Sequence, residues 1–99
     1  MNFDWDPNKA KTNIEDHDIT FEEATLVFED EFALEEYDDA HSTFDEKRFN
    51  RIGQASNRVL YVVYTVLNEG TKEEIYRIIS AREAEKWERE IYEQERFGL

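Results

Sequence analysis

Two periodicities divide the chain. Residues 2–5 (Asn-Phe-Asp-Trp) alternate polar and aromatic, the period of a half-buried strand. Asp6-Pro7 then predicts a helix start, with a carboxylate to cap free N–H groups and a proline at the first helical position, where its missing donor costs nothing. That helix is expected to reach about Glu15. Thr20-Phe-Glu-Glu23 has the form of a capping box and opens a second helix with Phe21, Ala24, Val27 and Phe28 on one face. Phe32–Tyr37 reads as a short strand, Asp38–Asp45 as a polar loop, Arg48–Gly53 as a strand and Gln54–Asn57 as a turn. Val59–Leu67 (VLYVVYTVL) is apolar toward both faces, which predicts the centre of a sheet. After a turn at Asn68–Thr71, Glu73–Ala81 is another buried strand, and the short turns predict an antiparallel meander. The last helix is expected from Ser80 or Arg82, docking through Ala84, Trp87 and Ile91, with Trp87 buried. The order β-α-α-β-β-β-β-α predicts an α+β fold, a small antiparallel sheet flanked by helices.

Length fits one domain, residues 1–99, with enough chain to bury one core. No apolar run approaches 18 residues, so no membrane span is expected. The opening MNFDWDPNK has no basic-then-apolar pattern, so no secretory signal is expected either. The absence of cysteine removes disulfides and thiolate chemistry and fits a cytoplasmic location. Three glycines and one proline leave no phosphate-cradling glycine loop.

Charge changes the picture through its distribution. The net charge is −13. Residues 1–46 hold sixteen acids against Lys9 and Lys11, whereas residues 47–82 hold seven bases against Glu69, Glu73 and Glu74. A polyanion would find one basic stretch on an acidic molecule; alternatively those bases are solvated surface charge, the reading composition favours.

Arginine and histidine supply the candidate chemistry. Arg77 lies within an apolar strand, and by strict alternation Arg82 falls on the other face or on the turn beyond. Arg77 is either an internal ion pair, for example with Glu23 or Glu88, or a phosphate-binding group. Histidine is the residue type whose unperturbed pKa lies near neutrality, and His17 and His41 fall in expected loops, where a plain surface role is the commoner one. Asp38, Asp39, His41 and Asp45 match no metal-ligand spacing and read as a solvated acidic loop. Ser42 and Ser80 lack a nucleophile context.

Phe3-Asp-Trp-Asp-Pro-Asn-Lys-Ala10, Asn13-Ile-Glu-Asp-His17, Ile19-Thr-Phe-Glu-Glu-Ala24 with Val27-Phe28, Asp39-Ala-His41-Ser42, Lys47-Arg48-Phe49 with Ile52-Gly53, Val62-Val-Tyr-Thr65, and Arg77-Ile-Ile-Ser-Ala-Arg82-Glu-Ala84 with Glu88 and Tyr92 together resemble the BrnT family in order and spacing. The resemblance spans residues 3–93. It implies a RelE/ParE-like fold and a ribonuclease toxin of a type II toxin–antitoxin module that inhibits translation. It further implies metal-free RNA cleavage with no cofactor, and a BrnA-like ribbon–helix–helix antitoxin as partner. RNA would be the substrate, operator DNA would be reached only through the antitoxin, and no membrane would be involved. The matched positions imply Arg82, Arg77 and Arg48 for charge stabilisation, Arg82 foremost, and His17 and His41 for proton transfer. The family pattern has lysine and glycine where Asp16 and Asp18 flank His17 here. The alternative function is a non-catalytic, antitoxin-binding interaction protein.

Overall fold

The chain begins as a short strand, β1 (Asn2–Asp4), and passes at once into a helix, α1 (Pro7–His17), in the computed structural model, which describes residues 1–98. Asp6 caps α1, its carboxylate accepting the Asn8 N–H at 2.8 Å. Thr20 caps the next helix, α2 (Phe21–Ala24), accepting the Glu23 N–H at 3.0 Å. The Glu23 side chain does not return the bond. It takes the Arg58 guanidinium instead, at 2.7 and 3.0 Å, because a bidentate charged pair outweighs one backbone bond. The chain continues through a 3₁₀ turn (Thr25–Phe28) into β2 (Leu34–Tyr37), β3 (Arg48–Ala55), β4 (Arg58–Leu67), β5 (Ile75–Glu83) and α3 (Lys86–Phe97).

The sheet order is β1-β5-β4-β3-β2, so the apolar run does occupy the centre. The meander from β2 to β5 is antiparallel, but β1 pairs with β5 in parallel, Asn2 opposite Ile75 and Asp4 opposite Arg77. The sheet is therefore mixed rather than antiparallel. That pairing joins positions some seventy residues apart, and no local pattern carries it.

One face of the sheet is covered by α1, α2 and the 3₁₀ turn. Ile19, Phe21, Ala24 and Val27 pack there on Leu60, Val62, Ile78 and Ala81, all buried. Phe28 extends this core into an aromatic cluster, its ring 5.1 Å from Phe3, 4.8 Å from Tyr64 and 5.6 Å from Tyr76. The 3₁₀ turn comes so close to β3 that a Cβ on Gly53 would stand 3.1 Å from those of Val27 and Ala33.

Asn13 locks α1 to this layer. The described partner strand β1 ends at Asp4, opposite Arg77, and leaves the outer edge of β5 beyond it without a strand. The Asn13 amide fills that place: its Oδ1 accepts the Ala81 N–H at 3.0 Å, and its Nδ2 donates to the Ala81 carbonyl at 2.8 Å and the Ile19 carbonyl at 2.9 Å. The side chain is 4% exposed and acts as a one-residue strand.

The other face is covered at one end only, by α3 over Val59, Ala84, Leu34 and Ile52. Here the structure corrects the expectation in two ways. Ser80 to Glu83 stay in β5, Arg82 pairing with Tyr61, and α3 starts only at Lys86. The docked face is Glu88 and Tyr92, not Trp87 and Ile91, which are 59% and 43% exposed. The cause is Glu88, whose pairing with Arg82 turns the helix one residue away from its apolar stripe.

Two substitutions check this packing in urea titrations followed by far-UV circular dichroism. Asn13→Ala should destabilise by about 2–4 kcal/mol, because three buried backbone groups lose their partner. Trp87→Ala should cost less than about 1 kcal/mol, as expected for a largely exposed side chain.

Candidate active site

The residues of the open face follow from register. Thr65 on β4 lies opposite Arg48 on β3 and Arg77 on β5. Two strand spacings set the Arg48 and Arg77 backbones roughly 10 Å apart. The next row is Asn50–Val63–Ser80, and the row beneath α3 is Leu34–Ile52–Tyr61–Arg82. Arg77 and Arg82 are five residues apart, and alternation alone would oppose them. The pairing instead shifts between Val63 and Tyr64, leaving Ile79 as an extra residue in β5. That bulge restores Arg82 to the face of Arg77. All three candidate arginines thus share one side of the sheet.

Their partners distinguish them. Arg82 makes a bidentate pair with Glu88, at 2.7 and 3.0 Å, and lies over the Tyr61 ring with its guanidinium carbon 4.1 Å from the centroid. Glu88 is 2% exposed and also accepts the Glu85 N–H at 2.8 Å, closing the first turn of α3. The two acids proposed for Arg77, Glu23 and Glu88, do bind arginines, but these are Arg58 and Arg82. Arg48 bonds Glu46 at 2.8 Å. Arg77 has the loosest pair, reaching Asp4 at 3.4 Å with both side chains 41% exposed. An exposed pair of that kind contributes about 0–1 kcal/mol, so an anion displaces it easily. Displacing Arg82 would strand a buried carboxylate, at several times that cost.

The histidines lie apart. His17 is not in a loop but ends α1, beside the outer edge of β5, where it shares a cleft with Lys9, Asp16 and Ser80 and not with the arginines. Asp18 follows it at φ +55°, the left-handed cap that glycine fills with least strain and aspartate tolerates. His41 is in the loop between β2 and β3, its side chain 72% exposed, with Nδ1 2.9 Å from Asp38. The Asp38 N–H donates to the Arg48 carbonyl at 2.9 Å, and Ser42 Oγ accepts the Arg48 N–H at 2.9 Å, so this loop is tied to the start of β3. The Asp38 contact sets Nδ1 as the protonated nitrogen and leaves Nε2 to accept a proton. Among the described residues, no group of three His, Cys, Asp or Glu is placed to hold a metal ion, and no helix is long and apolar enough to cross a membrane.

A family model described as a ribonuclease toxin, BrnT, of a type II toxin–antitoxin system matches residues 5–88. The chain belongs to the BrnT family. No curated protein matches it. The BrnT match includes β3, β4, β5 and the first turn of α3, and so all three arginines and Glu88. Sequence reasoning about these residues missed the Ile79 bulge, the Tyr61 platform and the Asp38 partner of His41. Only the last has a local signal, a carboxylate three residues before the imidazole.

The fold of this BrnT chain holds three carboxyls below their ordinary values. Burial pushes Glu88 up, but the Arg82 bonds and the Glu85 N–H outweigh it and hold the carboxyl below its ordinary value of 4.5. The Arg58 bonds hold Glu23 down against a smaller effect of burial. Burial raises Asp30, and bonds from the Gln54 N–H, the Tyr92 hydroxyl and the Phe32 N–H bring it below its ordinary value. An acid lowered on folding stabilises the protein above its unfolded pKa, and that stability is lost as pH falls through the folded value. The melting temperature should therefore hold from neutrality to about pH 5 and fall steadily below. Glu88→Gln should melt lower at pH 7 and show a shallower decline in acid, measured by differential scanning fluorimetry across pH 3–8.

Proposed function

We propose that this protein is an endoribonuclease toxin that cleaves RNA without a metal ion on the open face of its sheet. The observation that carries the reading is the Arg48–Thr65–Arg77 row, two part-exposed arginines flanking a buried threonine on the part of the face that α3 leaves open, in a chain of a ribonuclease toxin family. Arg77 and Arg48 hold the scissile phosphate and neutralise charge as it builds on the phosphoryl oxygens. The ribose 2′-oxygen attacks phosphorus and loses its proton to His41 Nε2. The bond to the 5′-oxygen breaks, and that oxygen takes a proton from water, leaving a cyclic phosphate. Asp38 orients His41 through Nδ1. Arg82 sets the shape of the face through Glu88 and Tyr61 rather than meeting the phosphate itself. His17 stands outside the reaction.

The reading extends to the module. The fold is RelE/ParE-like, cleavage inhibits translation in the cytoplasm, and a BrnA-like ribbon–helix–helix antitoxin neutralises the toxin and carries it to operator DNA. One observation favours a second reading, a toxin fold that binds its antitoxin without cleaving RNA. Each of the three arginines already meets a carboxylate, in a chain of net charge −13.

Purified protein, incubated with total RNA at neutral pH, should cleave it equally with and without a chelator. Arg77→Ala should lose a hundredfold or more in rate, about 3 kcal/mol of transition-state stabilisation, with its melting temperature unchanged. Arg82→Ala should instead lose roughly 2–4 kcal/mol of folding stability, water at the vacated site tempering the penalty on Glu88. Intact RNA after incubation with folded wild type would establish the second reading. Chelator-sensitive cleavage restored by magnesium would overturn the metal-free mechanism.

A further inference from the structure

The geometry points to a subsite for one unpaired RNA base, stacked on Phe44 with its phosphate on Arg77 and Lys47. This rests on the ribonuclease reading above and names the form of RNA that the face accepts. Phe44 is 98% exposed, the most exposed large apolar side chain among the described residues. It buries nothing, so it does not serve the core. A tight turn holds it outward: the Thr43 N–H donates to the Glu46 carbonyl at 2.8 Å, and the Glu46 N–H donates to Thr43 Oγ1 at 3.0 Å.

Phe44 forms one wall of a cleft of about 410 Å³, within the range of small-ligand sites. Lys47, Phe49, Thr65 and Arg77 also line it, so the cleft includes two members of the row, Thr65 and Arg77. An aromatic face beside cations is the means by which proteins hold single strands. Trp87, the other exposed aromatic beside a cleft, has Arg82 as its cation, and that guanidinium is committed to Glu88.

Charge decides what kind of nucleic acid fits. Asp45, Glu46 and Glu69 line the cleft as well, and of these Glu46 is held by Arg48. Arg77 in turn meets Asp4, which leaves Lys47 facing Asp45 and Glu69, so the cleft has no positive field to draw a polyanion. Affinity must come from stacking, which needs a base free of its partner, and duplex RNA is rejected because its bases are already paired. Binding should fall only weakly with salt, since about two phosphates at most are neutralised.

The test uses a fluorescein-labelled 2′-O-methyl RNA octamer, which lacks the attacking hydroxyl, for binding by anisotropy, beside cleavage of the unmodified RNA of the same sequence. Wild type should bind the single strand and not a duplex of the same length. Phe44→Ala should weaken binding and kcat/KM about tenfold or more with the melting temperature unchanged, Phe44→Trp should restore both, and Phe97→Ala, an exposed aromatic at the end of α3, should match wild type. If wild type cleaves and Phe44→Ala binds and cleaves equally well, the subsite is refuted and the ribonuclease reading stands. Duplex binding as tight as single-strand binding likewise overturns the subsite alone. If folded wild type neither binds nor cleaves, both fall.

Discussion

A carboxylate with 2% exposure cannot remain charged without compensation, and the open side of this molecule is arranged around the compensation of Glu88. Its oxygens take both arms of Arg82 from β5 and the N–H of Glu85, the residue that caps α3. One side chain thereby fixes where the helix begins, which way it is rotated and how far it reaches across the sheet. The rotation leaves Trp87 and Ile91 partly in water and turns Tyr92 inward, where its hydroxyl meets Asp30, itself bound to the Gln54 N–H of β3. A chain of polar contacts thus runs from β5 through α3 to β3, and the end of the face beyond it is where Arg48 and Arg77 flank the buried Thr65. On the opposite side Asn13 performs the matching task, so β5 is clamped from both layers by buried polar side chains.

The same logic explains how an acidic protein presents an arginine face. Acids outnumber bases two to one, so arginines on strands meet carboxylates almost by default. What separates them is the burial of the partner. Arg58 and Arg82 hold acids that are largely withdrawn from water, and these pairs organise the fold. Arg48 and Arg77 hold acids that water already reaches, and their bonds are exchangeable.

Much of the architecture was legible in the sequence because it depends on local pattern. The two-faced apolar run at 59–67, the cap at Asp6 and the turn at 68–71 each follow from side chains within a few positions of one another. What was not legible depends on distant partners. The parallel seam between β1 and β5 joins the two ends of the fold. The apolar stripe of α3 misled because a single ion pair outweighed it, and the identity of that pair required knowing that β5 runs past Ser80. For the site, residue types pointed to Arg48, Arg77 and Arg82, yet their grouping rested on a bulge that leaves no mark in hydrophobic alternation.

That bulge makes the site a matter of parity. Because a strand assigns its side chains to faces by odd and even count, Ile79 acts as an inserted digit that corrects the sum between Arg77 and Arg82. Its side chain is only half-buried, so its identity is open to change. Its presence is not: a chain shortened by one residue there would swing Arg82 toward the helices and strand Glu88 on the other side. At this position the fold depends on chain length before it depends on side-chain chemistry.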